Sequence, residues 1–196
     1  MNSIELLVLQ LWGSFLVAKF LPFVLLLLAG LLIGRILYIK FSSRKINRTI
    51  LVAFCSLSTI TPVACYFALF PIYQGDLIDL GYKPKTSIRF GQSKKLVVIA
   101  LPGCRYCSES TQHMKGIEPY TKTPIEYWVL GSDSSDLSAY QALVGNQINC
   151  ELKSNLSEVL PITEGSFPTY VLIENGKITK AWHNDSFGVR SLNELN

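Results

Sequence analysis

Hydrophobic positions are spread along this chain in two different ways. Through the first third they run almost continuously, and from about residue 96 they come in short bursts between polar turns. No charged residue falls in 49–75, whereas a bilayer core needs about 20 apolar residues in a helix. The pattern therefore predicts a membrane-spanning helix over 50–73. Pro62 inside it is tolerable, because neighbouring groups can re-satisfy the freed carbonyl. Tyr66, Phe70 and Tyr73 gather at its far end, where an interfacial aromatic belt would lie. Glu5, Lys19 and Arg35 interrupt the earlier stretch. The aliphatic run 23–28, with Arg35 snorkelling toward one surface, predicts another span over 15–38. Residues 6–18 either extend that helix or form a separate interfacial segment. A signal peptide fits poorly, since the leading region carries Glu5 and the apolar run comes late.

The remainder alternates. Residues 74–93 are polar, hold Gly75, Gly81, Pro84 and Gly91, and read as a linker or an opening hairpin. The burst 96–101 is β-branched at three positions and predicts a buried strand, ended by Pro102-Gly103. A helix over 104–117 follows, stopped by Pro119. Residues 125–130 predict another strand, 137–147 a helix capped by Ser135 or Asp136, and 148–152 a short strand. Strands over 169–173 and 177–182 flank Asn175-Gly176, a strong hairpin signal. A last helix is expected over 189–195. The order is β-α-β, an inserted α(β), a hairpin and a helix. Its first unit implies a parallel pair with a right-handed crossover. The whole implies an α/β class domain, a mixed sheet covered by helices. The expected organisation is a membrane anchor over 1–75, a linker over 76–94 and this domain over 95–196.

Composition sharpens the division. Of 196 residues, 49% are hydrophobic and only 16% charged, against about 25% charged in an ordinary soluble domain. A disordered chain is excluded by the same figures. The net charge of +4 matters through its location. Arg35, Lys40, Arg44, Lys45 and Arg48 lie between or beside the two spans with no acidic residue among them. The positive-inside rule puts that loop in the cytoplasm. The domain after Tyr73 is then extracytoplasmic, and the protein is multi-pass in an inner or plasma membrane. Lys83, Lys85, Arg89, Lys94 and Lys95 come after the second span, interleaved with Asp76 and Asp79. The short basic loop is a headgroup anchor in the lipid bilayer rather than a nucleic-acid surface.

Two of the five cysteines, Cys104 and Cys107, open the helix after the first strand of the domain. Their spacing can close a small disulfide. A sulfur at a helix N-terminus faces unpaired N–H groups that favour a thiolate. Arg105 adds positive charge if its side chain bends back. Cys104 would attack and Cys107 resolve, by mixed-disulfide exchange. A zinc half-site is the other chemical reading, but zinc needs two further ligands. His113, His183 and Cys150 are the extra candidates, and none has the paired spacing of a finger or ribbon. An inert pair of core cysteines is the third reading.

About 60 residues on stands Phe167-Pro168-Thr169, just before the strand and hairpin. With the strand-CxxC-helix unit, the segment FPTYVLIENGKI resembles the thioredoxin superfamily. The resemblance covers about 95–196. The insertion between Leu130 and Pro168, together with the membrane anchor, is similar to the TlpA/ResA-like branch. It implies a thioredoxin-like fold and a Cys104–Cys107 redox disulfide. It also implies a cis proline at Pro168, holding Phe167 where a substrate peptide pairs in extended form. Phe167, Thr169, Arg105 and Tyr106 would line the substrate site. The chain departs from the family pattern in having Pro102-Gly103 before the first cysteine and Arg-Tyr between the pair. Its first strand, Val97-Val98-Ile99-Ala100, lacks the family's buried carboxylate, so the motif itself identifies no proton acceptor for Cys107.

Other side chains read as structural. His113 lies nine residues past Cys104, roughly 180° around the helix. His183 reads as a loop residue, Glu109 and Glu118 as solvated helix residues, and Trp128 and Trp182 as core. Glu164 and Glu174 are weak candidates for proton transfer. Cys55 and Cys65 stand about 15 Å apart along one helix, too far to bond. They read as apolar fillers or a relay to a membrane partner, and Cys150 as buried or free. The expected function is a membrane-tethered thiol-disulfide oxidoreductase with no cofactor or metal. Its partners would be cysteine-containing exported proteins and a membrane electron donor or acceptor. The alternative is an extracytoplasmic Cu(I)-binding or metallochaperone module, since soft thiolates suit that ion.

Overall fold

The computed structural model describes residues 3–42, 48–84, 86 and 90–196. Arg44, Lys45, Lys85 and Arg89 lie outside the described residues. The chain divides into two compact units, Asn2–Ile72 and Tyr73–Asn196.

In the N-terminal unit, α1 covers Ser3–Trp12, α2 Phe15–Ser42 and α3 Arg48–Leu69. Gly13, at φ +66, breaks α1 from α2, so the leading segment is a helix of its own. Both α2 and α3 are long and apolar enough to cross a membrane. Pro22 and Pro62 are carried inside them. Helix α3 stops short of Pro71, since a residue preceding proline is disfavoured in α geometry. Small residues set the close approach of α2 to α3. A Cβ on Gly30 would lie 2.9 Å from the Thr59 carbonyl oxygen, and Thr59 Oγ1 donates to Gly30 O at 3.2 Å. Phe23 meets Tyr66 edge-on at 4.8 Å. Glu5 is buried with Lys19 Nζ at 3.4 Å, and Lys19 also donates to Pro71 O at 3.2 Å. Two of the three charges that interrupt the apolar pattern, Glu5 and Lys19, are thus paired with each other.

The second unit opens with the short helix α4, Gln74–Leu77. Its sheet is built from β1 Lys95–Ala100, β2 Ile125–Leu130, β3 Asn149–Lys153, β4 Thr169–Glu174 and β5 Lys177–His183, in the order β3-β2-β1-β4-β5. Strands β1, β2 and β3 are parallel, while β4 runs antiparallel to β1 and β5 to β4. The crossovers are α5, Arg105–Ile117, α6, Ser134–Val144, and α7, Leu156–Thr163; α8, Val189–Asn193, closes the chain. Successive strand residues point to opposite faces. Val97, Ile99, Trp128, Val171 and Ile173 pack with Val159 and Ile162 of α7 on one face. Val98, Tyr127 and Tyr170 share a row on the other, where Tyr127 meets α5 and α6.

The parallel unit, the antiparallel hairpin and a cis Phe167–Pro168 peptide make this a thioredoxin-like fold. Local details differ from expectation. Helix α6 starts earlier because Asp133, not Ser135 or Asp136, caps it, accepting from Ser135 N at 2.8 Å. Helix α7 escaped the pattern because Pro161 lies inside it. His183 ends β5 instead of lying in a loop. Part of the expected linker is integral to this unit: Tyr82 bridges to Ala181 of the edge strand β5, and Asp76 is buried.

Candidate functional site

The site forms where β1 ends. Leu101-Pro102-Gly103-Cys104 is a tight turn closed by Cys104 N donating to Leu101 O at 3.2 Å. Gly103 sits at φ +74, the conformation that the third residue of a type II turn requires, and proline suits the second. The turn delivers Cys104 to the N-cap of α5. Its Sγ accepts the Cys107 N–H at 3.2 Å, so one orphan donor of the first helical turn is spent on the sulfur. Cys104 and Cys107 are joined in a disulfide, with Cα atoms 5.2 Å apart. Cys104 is partly exposed and Cys107 fully buried, so an incoming group reaches Cys104 first.

Pro168 is brought beside this pair by the register. Ile99 of β1 faces Thr169 of β4, which places Pro168 level with the end of β1. The Phe167 carbonyl oxygen lies 3.8 Å from Cys104 Sγ. Cys104, Cys107, Phe167 and Pro168 therefore converge. The other three expected contact residues do not form a single surface. Thr169 is buried, its hydroxyl donating to Ser166 O at 2.6 Å. Tyr106 and Arg105 project from the first turn of α5 into solvent. Arg105 does not bend back to the sulfur: its Nε donates to Glu109 at 2.8 Å, and that partner raises the guanidinium pKa further.

Beneath Cys107 lies a hydroxyl network that sequence reasoning missed. Ser110 Oγ donates to Cys107 O at 2.7 Å and stands 3.0 Å from Tyr127 OH. With its proton used, Ser110 accepts from the tyrosine. Tyr140 OH donates to Leu101 O at 3.0 Å, steadying the turn before Cys104. Burial pushes Tyr127 and Tyr170 well above the ordinary tyrosine range, and Tyr140 to about 12. These groups stay neutral, so the space under the resolving cysteine holds neutral hydroxyls in place of a carboxylate. The signal was legible in part. Ser110 follows Cys107 by three residues, hence on the same helix face, but only the sheet brings Tyr127 to it.

The remaining candidates lie in other roles. His113 is half-buried on α5. His183 Nε2 lies 3.6 Å from Glu164, with its ring 4.7 Å from Tyr82. Glu174 pairs with Lys94 at 3.2 Å. Trp182 and Trp128 are buried, the latter donating to Glu126 at 2.8 Å. Burial and the neighbouring Glu126 push the Cys150 thiol up to about 11. Among the described residues, no three His, Cys, Asp or Glu side chains converge as a metal site would require. A cleft of about 300 Å³ lined by Phe90, Trp128, Lys95 and Lys153 opens on the α7 face of the sheet, opposite the face that α5 covers.

No family profile matches the chain, and no curated protein matches it. Solved structures with a similar backbone include the thioredoxin domain of a thiol-disulfide oxidoreductase from Bacteroides vulgatus. That likeness has 17% identity, covers 61% of this chain and 96% of the other, and has a TM-score of 0.44. StoA from Bacillus subtilis is 14% identical over 60% of this chain and 97% of its own, with a TM-score of 0.44. The exposed lipoprotein thioredoxin of Streptococcus pneumoniae is 14% identical over 59% and 99%, with a TM-score of 0.42.

Proposed function

We propose that the chain is a membrane-anchored thiol-disulfide oxidoreductase. The observation that carries this reading is the partly exposed Cys104 sulfur. It is bonded to buried Cys107, receives a helix N-terminal N–H, and lies beside the cis Phe167–Pro168 peptide. In the reducing direction, the Cys104 thiolate attacks a substrate disulfide. A mixed disulfide forms and one substrate thiolate leaves. Cys107, deprotonated, then attacks Cys104 Sγ, which closes the internal disulfide and releases the second substrate thiolate. Two electrons pass to the substrate, and the reverse sequence oxidises it. The backbone at Phe167 offers an extended segment with which a substrate peptide can pair.

Two apolar helices would hold this domain at a membrane, and the basic residues near their junction favour an extracytoplasmic domain acting on exported proteins. A Cys107→Ser variant should accumulate mixed disulfides through Cys104, and Cys104→Ser should accumulate none. Undiminished insulin reduction by Cys104→Ser would refute the reading. A redox titration gives the direction: near −270 mV, about the thioredoxin value, marks a reductant, and near −120 mV, about the DsbA value, an oxidant.

A further inference from the structure

We infer that residues 73–80 form an apolar ledge through which the sheet-bearing unit rests on the lipid headgroup layer. This inference depends on α2 and α3 being membrane spans. Tyr73, Leu77, Ile78 and Leu80 are 62%, 54%, 63% and 41% exposed. Four large apolar side chains thus face outward within eight consecutive positions. The other exposed large apolar side chains described in this unit are scattered between Leu101 and Leu160. Clustered apolar exposure, here within one short segment, is what an interaction surface shows, whereas scattered single exposed leucines are ordinary.

Gln74 is exposed among them, but both carboxylates of the same segment are bonded back to the domain. Asp76 is buried: its Oδ1 accepts from Val189 N at 3.0 Å and its Oδ2 from Tyr73 N at 3.0 Å. Asp79 Oδ1 accepts from Trp182 Nε1 at 2.8 Å and from Gly81 N at 3.0 Å, and its Oδ2 pairs with Lys180. Gly75 is packed so tightly that a Cβ there would lie 2.4 Å from Ser186 O. Carboxylates bonded inward with leucines and isoleucine outward reverse the arrangement that water selects. The ledge is also pinned to α8 and β5, so it cannot simply fold its apolar side chains away.

Chain continuity identifies the occupant. Phe70, Pro71 and Ile72 alone separate the end of α3 from Tyr73. At about 3.3–3.6 Å per extended residue, Tyr73 lies within roughly 14 Å of Leu69. The headgroup region is about 5–7 Å deep on each side of the hydrocarbon core. A segment beginning so close to the end of a span comes within reach of that region, and tyrosine is a residue that settles there. Because the ledge is rigid with the domain, lipid contact would hold the disulfide at a set height and orientation.

The test uses the full chain with Cys55→Ala, Cys65→Ala and Cys150→Ser, and with the Cys104–Cys107 pair oxidised. It is reconstituted in phosphatidylcholine–phosphatidylglycerol vesicles. Single cysteines at Leu77→Cys or Ile78→Cys carry an environment-sensitive fluorophore, and the quencher is doxyl-labelled phosphatidylcholine. Leu28→Cys on α2 reports the span and Ser154→Cys, on an exposed turn, reports water. Labels at 77 and 78 should be blue-shifted and lose emission to the lipid quencher, less than at 28 and more than at 154. If 77 and 78 match 154 while 28 is quenched, the ledge is refuted and the spans stand. If 28 is also unquenched, the membrane reading itself fails. A blue shift at 77 and 78 without lipid quenching would mean that protein covers the ledge, which overturns the lipid assignment.

Discussion

Replacing Asp76 by alanine should lower the melting temperature of the sheet-bearing unit substantially. One carboxylate oxygen receives the Val189 N–H in a buried setting, and the other receives the Tyr73 N–H where solvent has partial access. A hydrogen bond to a charged group contributes about 1.5–3 kcal/mol net. Taking the upper part of that range for the buried bond and the lower part for the other gives roughly 4 kcal/mol. Water can replace the carboxylate at Tyr73 N, but not readily at Val189 N. A domain of this size loses about 3–5 °C per kcal/mol, so the expected fall is roughly 12–20 °C. Asp76→Asn keeps one acceptor oxygen and should lose about half as much. The assay is heating of the oxidised full chain in detergent, followed by near-ultraviolet circular dichroism. That signal reports Trp182, Tyr170 and Phe187, which pack together next to α8. An alanine variant melting with the parent would refute the claim that Asp76 makes residues 74–82 part of the domain.

Asp79 supplies a pH signature. Burial opposes its ionisation, but bonds from Lys180, Trp182 and Gly81 N outweigh that and hold the carboxyl at about 2, below its ordinary 3.8. A depressed carboxyl stabilises the fold above the unfolded value, and that contribution is lost as pH falls toward the folded value. The group is substantially exposed, so screening reduces the contribution to roughly 1 kcal/mol. Asp79→Asn should therefore flatten the loss of stability measured between about pH 4 and pH 2, and an unchanged acid profile would contradict the assignment. Cys150, held at about 11 by burial, is a thiolate in only about one molecule in ten thousand at neutral pH. Mass spectrometry after brief alkylation of the reduced native chain should find Cys104 modified and Cys150 spared; equal labelling would refute this. Tyr127→Phe and Ser110→Ala should each cost about 0.5–1.5 kcal/mol in urea unfolding. Their double variant should cost less than the sum because they share one bond; strict additivity would show that the bond contributes nothing.

Much of the candidate site was readable because its parts are local. Pro102-Gly103 dictates a turn with positive φ at its second central residue, and a CxxC pair after a strand falls at a helix N-terminus whatever surrounds it. Asn175-Gly176 likewise dictates the hairpin that follows Pro168. Expectations failed where a choice depended on which of several possible partners a side chain met, or on packing against distant strands. Arg105 was as free to approach the sulfur as to run along α5, and the i+4 partner Glu109 decided the outcome. Pro161 masked α7, whose apolar Val159 and Ile162 make sense only against β1 and β4.

Sequence alone determined the division into an apolar helical third and an α/β remainder, the strand list, and the spacing of Cys104 and Cys107 that lets them close a small disulfide at a helix N-terminus. Hydrophobic period, turn residues and short spacings are properties of a few adjacent positions. Tertiary structure decided what lies beneath and beside that chemistry. Ser110 is joined to Tyr127 across 17 positions, and Asp76 to Val189 across 113. A polar side chain carries no mark of the buried donor it will meet, so residues 76–82 looked like a linker until the fold brought Val189, Lys180 and Trp182 to them.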